Sequence, residues 1–172
     1  MKALRGSIPA FVILLSALAL AQSDAQKSFE QLKALAGPWE GTVTTFPPQD
    51  EVQGKHMKVS LKQTSMGNAL MHEMNIEGRM DDPITMLYLD NDRLLLTHYC
   101  DAGNRPRMTA QASADGKTIE FSFLDLDGGT QYGHMHHAVF TFIDASHHTE
   151  DWTYMMPGDK PVRAHFDLQR KP

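Results

Sequence analysis

One cysteine, Cys100, stands in a chain of 172 residues, so no disulfide can form within it. In an oxidising compartment such a thiol is buried, reactive, or paired with another molecule. A small side chain lined by apolar neighbours is the plain reading, because free cysteine is among the most buried residue types. Basic clusters are missing as well: sixteen Lys and Arg are scattered against twenty-one Asp and Glu. That excludes the electrostatic footprint of a nucleic-acid binder or of a protein held on an anionic membrane. There is no Gly-x-Ser-x-Gly elbow, phosphate loop, Cys-x-x-Cys or His-Glu-x-x-His motif, which removes the best-marked classes of hydrolase, nucleotide enzyme and zinc site.

The long apolar run is confined to the start. Lys2 and Arg5 precede a mostly apolar stretch from Ile8 to Leu20, and Ala19-Leu20-Ala21 puts small residues at both cleavage-determining positions. This predicts a secretory signal peptide over residues 1–21, with Ser23-Asp24-Ala25 as a second cleavage candidate. The run is short for a membrane span. The chain is therefore expected to be exported, periplasmic or secreted, with no stable membrane anchor after cleavage. Removing the leader takes away Lys2 and Arg5 and no acid, leaving 14 basic and 21 acidic residues of the original 16 and 21, a net charge of −7. Residues 22–172 suffice for one core and hardly two.

Helical periodicity is scarce. Phe29, Leu32 and Leu35 are three apart, with Ser28 and Gln31 as a candidate capping box, and Gly37-Pro38 ends the segment. After that the period is two. Strands are predicted over residues 39–46, 57–62, 68–76, 84–89, 93–100, 107–113, 117–126, 134–143, 147–156 and 162–169, separated by turn residues such as Asp90-Asn91-Asp92 and Asp115-Gly116. Met71, Met86 and Met108 fall in these strands and read as flexible core fillers. No helical crossover is available for parallel pairing. About ten antiparallel strands in succession must hide their edges, and closing into an up-and-down barrel does so. The expected fold class is all-β: a single antiparallel barrel of about ten strands with one short N-terminal helix. A two-sheet sandwich is the alternative.

The helix followed by Gly37-x-Trp39-x-Gly41 and a strand meander resembles the calycins, the lipocalins and their smaller relatives. There the tryptophan closes one end of the barrel. The start Phe29 to Gly41, the block Leu96-Thr97-His98-Tyr99-Cys100 through Gly103-Asn104-Arg105-Pro106-Arg107-Met108, and His134-Met135-His136-His137 also resemble a family of exported bacterial proteins. That resemblance implies no particular activity. In haem-binding nitrobindin-like barrels the glycine pattern continues where this chain has Val43. His165 shares a solvated-looking face with Arg163 and Asp167, so haem is not expected.

Nine histidines are the compositional oddity. His98 and Cys100 are two apart on one strand, and His134 and His136 two apart on another, so each pair shares a face. Imidazole and thiolate suit zinc or copper, making His98, Cys100, His134 and His136 a candidate metal set. The plainer alternative is that these groups are hydrogen-bonded at a polar end of the barrel. Arg105 and Arg107 flank Pro106, and an arginine at a pocket mouth suits a carboxylate or phosphate; surface salt bridges to Asp101 or Glu73 are the alternative. His98 with Cys100 is the one nucleophile pair, at roughly 7 Å along a strand, long for an activated thiolate. Glu73, Asp125 and Tyr99 are further acid–base candidates. The first expectation is a non-enzymatic barrel binding a small, partly apolar molecule through His98, Tyr99, Arg107 and His136. A metal site, catalytic or for storage, and a filled barrel acting as an interaction module are the alternatives.

Overall fold

Ser23 starts the first helix, not Ser28. The computed structural model describes residues 22–171; the expected signal peptide lies outside them. Ser23 has an extended backbone, and its side chain accepts from the Gln26 N–H at 3.2 Å. That is the N-cap bond of a Ser-x-x-Gln signature five residues earlier than expected. Helix α1 runs Asp24–Lys33. Ser28 is buried within it, beside Phe29 and Leu32, on the face turned to the core.

Ten strands follow: β1 (Gly37–Phe46), β2 (His56–Thr64), β3 (Ala69–Ile76), β4 (Ile84–Asp90), β5 (Arg93–Tyr99), β6 (Arg105–Ala112), β7 (Thr118–Asp127), β8 (His134–Asp144), β9 (His147–Met156) and β10 (Lys160–Arg170). Each pairs antiparallel with its neighbour in sequence, and β10 pairs with β1, so the sheet is a closed barrel. The sandwich alternative fails because β10 returns to pair with β1 and closes the sheet. The turns behave as their residues require: Asn91, between β4 and β5, takes φ 54°, the left-handed region that Asn tolerates.

Up-and-down order divides the connections between two ends. The α1–β1 link and the turns β2–β3, β4–β5, β6–β7 and β8–β9 lie at one end. Helix α1 packs there against β2, β4, β5 and β6, and Gln31 Nε2 donates to the Gly116 carbonyl in the β6–β7 turn at 2.8 Å. Trp39 is fully buried at this end. Its Nε1 donates to the Leu35 carbonyl at 2.8 Å, and the Arg170 guanidinium lies 4.2 Å from its ring centroid. Gly41 is needed for the closure. A Cβ there would lie 1.8 Å from the Asp167 carbonyl oxygen of β10, so only glycine lets the first and last strands approach.

Inward alternation fills this half of the barrel with Trp39, Leu61, Leu96, Met108, Phe121, Phe140 and Leu168, all buried. Met108 is the core filler expected; Met71 and Met86 instead pair across β3 and β4 with their side chains only half-buried, because Leu70 and His72 take the inward positions. The other end, ringed by the loops β1–β2, β3–β4, β5–β6, β7–β8 and β9–β10, is not filled.

Candidate functional site

The barrel interior is built in layers along the inward positions of β3, β4, β5 and β9. His72 on β3, Thr85 on β4, His98 on β5, and His148, Glu150 and Trp152 on β9 are all buried. Glu150 is the centre. It accepts from His72 Nε2 at 2.9 Å, His148 Nε2 at 3.0 Å and Trp152 Nε1 at 2.9 Å. Burial alone would raise the Glu150 carboxyl. The electrostatic pull of His72 and the bonds from His148 and His72 outweigh it and hold the group well below the usual carboxylate range. A buried carboxylate persists only when so many donors surround it. The Nδ1 atoms of His72 and His148 have no hydrogen-bond partner among the described residues. Both Nε2 atoms therefore serve the carboxylate, and the far side of each ring packs among apolar neighbours: His148 lies edge-on to Trp39 with centroids 4.2 Å apart.

His98 sits one layer further toward the open end. Its Nδ1 is 2.8 Å from Thr85 Oγ1, and its ring lies 5.7 Å from that of Trp152. Burial first, and the neighbouring His72 second, push its pKa down to about 3, so it is a neutral imidazole at neutral pH. Among the described residues Nε2 is the ring nitrogen left without a hydrogen-bond partner.

Above His98 and Trp152 opens a cavity of about 400 Å³. Apolar walls come from the strands: Val43, Met74, Ile76, Met135, Ala164 and Phe166. The loops supply Gln49, Glu51 and Val52 from β1–β2, Arg79, Asp81 and Pro83 from β3–β4, Cys100 and Asp101 from β5–β6, and Tyr132 from β7–β8. Arg79 forks onto Asp81 at 2.7 and 2.9 Å and reaches Asp101 at 2.9 Å. Asn104 fixes two of these loops together, donating from Nδ2 to the carbonyls of Gly129 and Gly133 at 2.8 and 2.7 Å. Tyr154, in the wall, donates its hydroxyl to the Tyr132 carbonyl at 2.7 Å. Burial raises its pKa to about 12.

The residues singled out in the sequence divide between this cavity and the outside. His98 and Cys100 both line it, as their shared parity requires. Burial, with Asp101 beside the sulfur, pushes the Cys100 thiol up to about 11, so it is held as the protonated thiol. Tyr99, between them, faces outward and is half exposed; it does not line the cavity. Arg107 is corrected in the same way. Pro106 and Met108 are buried, so alternation on β6 turns Arg105 and Arg107 to solvent. There Arg107 Nε donates to Asp125 at 2.7 Å and Arg105 Nη2 to Asp127 at 2.6 Å; neither Asp101 nor Glu73 is the partner.

His134 and His136 do come together, with Nε2 and Nδ1 3.2 Å apart, and both pack on Phe123. They do not reach the cavity. β8 carries an extra residue here: Met135 pairs with Tyr154 and His137 with Thr153. The bulge breaks strict alternation, and Met135 takes the cavity-lining position. The four candidate metal ligands thus form two separated pairs. Among the described residues no group of three or more His, Cys, Asp or Glu side chains is placed to share an ion. His165 lies on the outer face, its Nδ1 2.8 Å from Asp151. Among the described residues no helix is long and apolar enough to cross a membrane.

A closed ten-stranded meander, sealed by a helix and a buried tryptophan at one end and hollow at the other, is a lipocalin-like, calycin-type β-barrel. No protein-family model and no curated protein sequence matches the chain. Solved structures do match in fold. The crystal structure of Rv2717c from M. tuberculosis aligns with a TM-score of 0.58 at 14% identity, over 84% of this chain and 98% of that one. A protein of unknown function from the DUF3598 family of Nostoc punctiforme PCC 73102 aligns at 0.57 and 12% identity, over 82% of this chain and 49% of that one. The chain thus spans about half the length of the Nostoc protein. The S-type phycobiliprotein lyase CPES from Guillardia theta aligns at 0.42 and 8% identity over 88% and 99% of the two chains, too distant to bear on function. Identities this low establish the fold alone.

Proposed function

We propose that this protein is an exported, non-enzymatic barrel that holds one small, largely apolar molecule in the cavity above His98 and Trp152. The observation that carries the reading is the cavity itself. At about 400 Å³ it falls within the roughly 300–1,000 Å³ of small-molecule sites. It also has their make-up: apolar walls and a buried polar group, the His98 imidazole, at its floor. A neutral imidazole and a thiol kept protonated favour recognition over nucleophilic chemistry. The half-filled interior speaks against an interaction module with a solid core.

Titration with the neutral, apolar fluorophore N-phenyl-1-naphthylamine tests this. One saturable site is expected, abolished in Ala164→Phe, whose added ring occupies the cavity. Far-UV circular dichroism of the variant should be unchanged. Absence of saturable binding, or binding that survives Ala164→Phe, refutes the reading. Export is tested separately by N-terminal sequencing of the protein from a periplasmic fraction: a start at Gln22 is expected, and a cytoplasmic protein that retains Met1 would overturn it.

A further inference from the structure

The open end of the barrel is acidic. Its five loops, residues 47–55, 77–83, 100–104, 128–133 and 157–159, carry seven Asp or Glu side chains against two basic ones, Lys55 and Arg79. The connections at the helix end, residues 34–36, 65–68, 91–92, 113–117 and 145–146, carry two acids, Asp92 and Asp115, and one base, Lys117. The asymmetry reaches the cavity lining, where Glu51, Asp81 and Asp101 accompany one cation. Three of that cation's five N–H donors already go to these carboxylates: Asp81 takes two and Asp101 a third. The mouth also carries exposed apolar side chains, Phe46, Met80, Tyr132 and Met156.

The floor has a matching bias. His98 is 2% exposed, lines the cavity, and offers a ring nitrogen with no hydrogen-bond partner among the described residues. Its neighbour Trp152 is bonded to the buried Glu150 carboxylate. A ligand carboxylate fits neither way round. With its head outward it meets the acidic rim; with its head inward it loses water beside an uncharged imidazole, one layer above another carboxylate.

We propose that the occupant of this cavity is an amphiphilic organic cation: an alkyl or aryl amine whose ammonium group rests among Glu51, Asp81 and Asp101 while its apolar body fills the space down to His98. The inference rests on the small-molecule reading above and names the ligand class within it. Acidic loops steer a cation toward the mouth. The body is held by apolar burial, and the uncharged His98 nitrogen can bond a polar group at the inner end of the ligand.

The test is calorimetric titration with octylamine, octanol and octanoate at pH 7 and low ionic strength. The three probes share one chain and differ in head charge. Octylamine is expected to bind about tenfold tighter than octanol, and octanol about tenfold tighter than octanoate, as a few partly exposed charges on one head group allow. Raising the salt to about 0.5 M should compress the series, because it shortens the screening length. Glu51→Gln should weaken octylamine two- to threefold and leave octanol unchanged. The double variant Asp81→Asn/Asp101→Asn strips Arg79 of its partners and should reverse the order of amine and acid. Octanoate binding as tightly as octylamine at low salt, while octanol binds, overturns the cation inference and leaves the small-molecule reading standing. Failure of all three probes to bind overturns both.

Discussion

Replacing His98 by glutamine should flatten the acid side of the stability profile. His98 is buried, and its pKa falls from 6.5 to about 3 on folding. Below pH 6.5 the unfolded chain takes up a proton at this site and the folded chain does not, so the native state loses ground as the pH drops. The contribution is whole above pH 6.5 and disappears progressively toward pH 3. Linkage sets the slope at about 1.4 kcal/mol per pH unit, so about 3 kcal/mol is lost between pH 7.5 and pH 4.5. For a domain of this size that is about 5–10 °C in Tm. Glutamine does not titrate and can still reach Thr85. The variant starts from a lower plateau but should lack this slope. Urea unfolding at half-unit pH steps, followed by the emission of the two buried tryptophans, Trp39 and Trp152, measures it. The parent and variant profiles should converge by about 2–3 kcal/mol over that range. Parallel profiles, within the roughly 10–15% error of extrapolated free energies, would refute the assignment of His98 as a buried neutral imidazole. Glu150 does not confuse the result: its carboxyl is held low in the fold, and its own loss, which sets in near the ordinary glutamate pKa of about 4.3, is common to parent and variant and cancels in the comparison.

Glu150→Gln should destabilise by about 2–4 kcal/mol at pH 7 in the same assay, because an amide brings a donor to a site already ringed by donors; an unchanged midpoint would remove Glu150 as the organiser of the interior. Gly41→Ala should cost about 3 kcal/mol or more, or prevent folding, since its Cβ would meet the β10 backbone; a soluble variant with parental Tm would contradict the tight seam. Cys100 should react with iodoacetamide at pH 7.5 about a hundredfold more slowly than a free thiol, its thiolate being scarce, and rates matching glutathione would show the sulfur to be solvated.

Much of the barrel is legible from alternation alone. All ten strands lie within two residues of the predicted spans, because Gly, Asn, Asp and Pro mark each turn and the inward faces are plainly apolar. The helix start reads five residues late because Ser23 falls beside a second leader-cleavage candidate, although Ser23-x-x-Gln26 reads as a capping box. The interior network leaves a signal of its own: His148, Glu150, Trp152 and Tyr154 share one parity on β9, and a carboxylate on a face that bears tryptophan demands partners. Choosing His72 to supply one of them needs the cross-barrel approach, which no local pattern reports. Arg107 misleads because a charged residue next to a proline resembles a loop. In fact Pro106 is the buried position, and its parity decides the arginine's side. The extra residue of β8 is invisible in His134-Met135-His136-His137. It depends on how Tyr154 and Thr153 pair opposite, and it keeps His134 and His136 apart from His98 and Cys100.

The seam between β1 and β10 has a consequence for how the molecule is made. Arg170 bonds the Ala36 carbonyl, 134 positions earlier, and Val162, Ala164 and Phe166 of β10 form one wall of the hollow. A nascent chain that has not yet released its final strand has two raw sheet borders and no vessel to fill. Contacts this distant in sequence form late, so the capacity to take up cargo should arise in one step with completion of the fold.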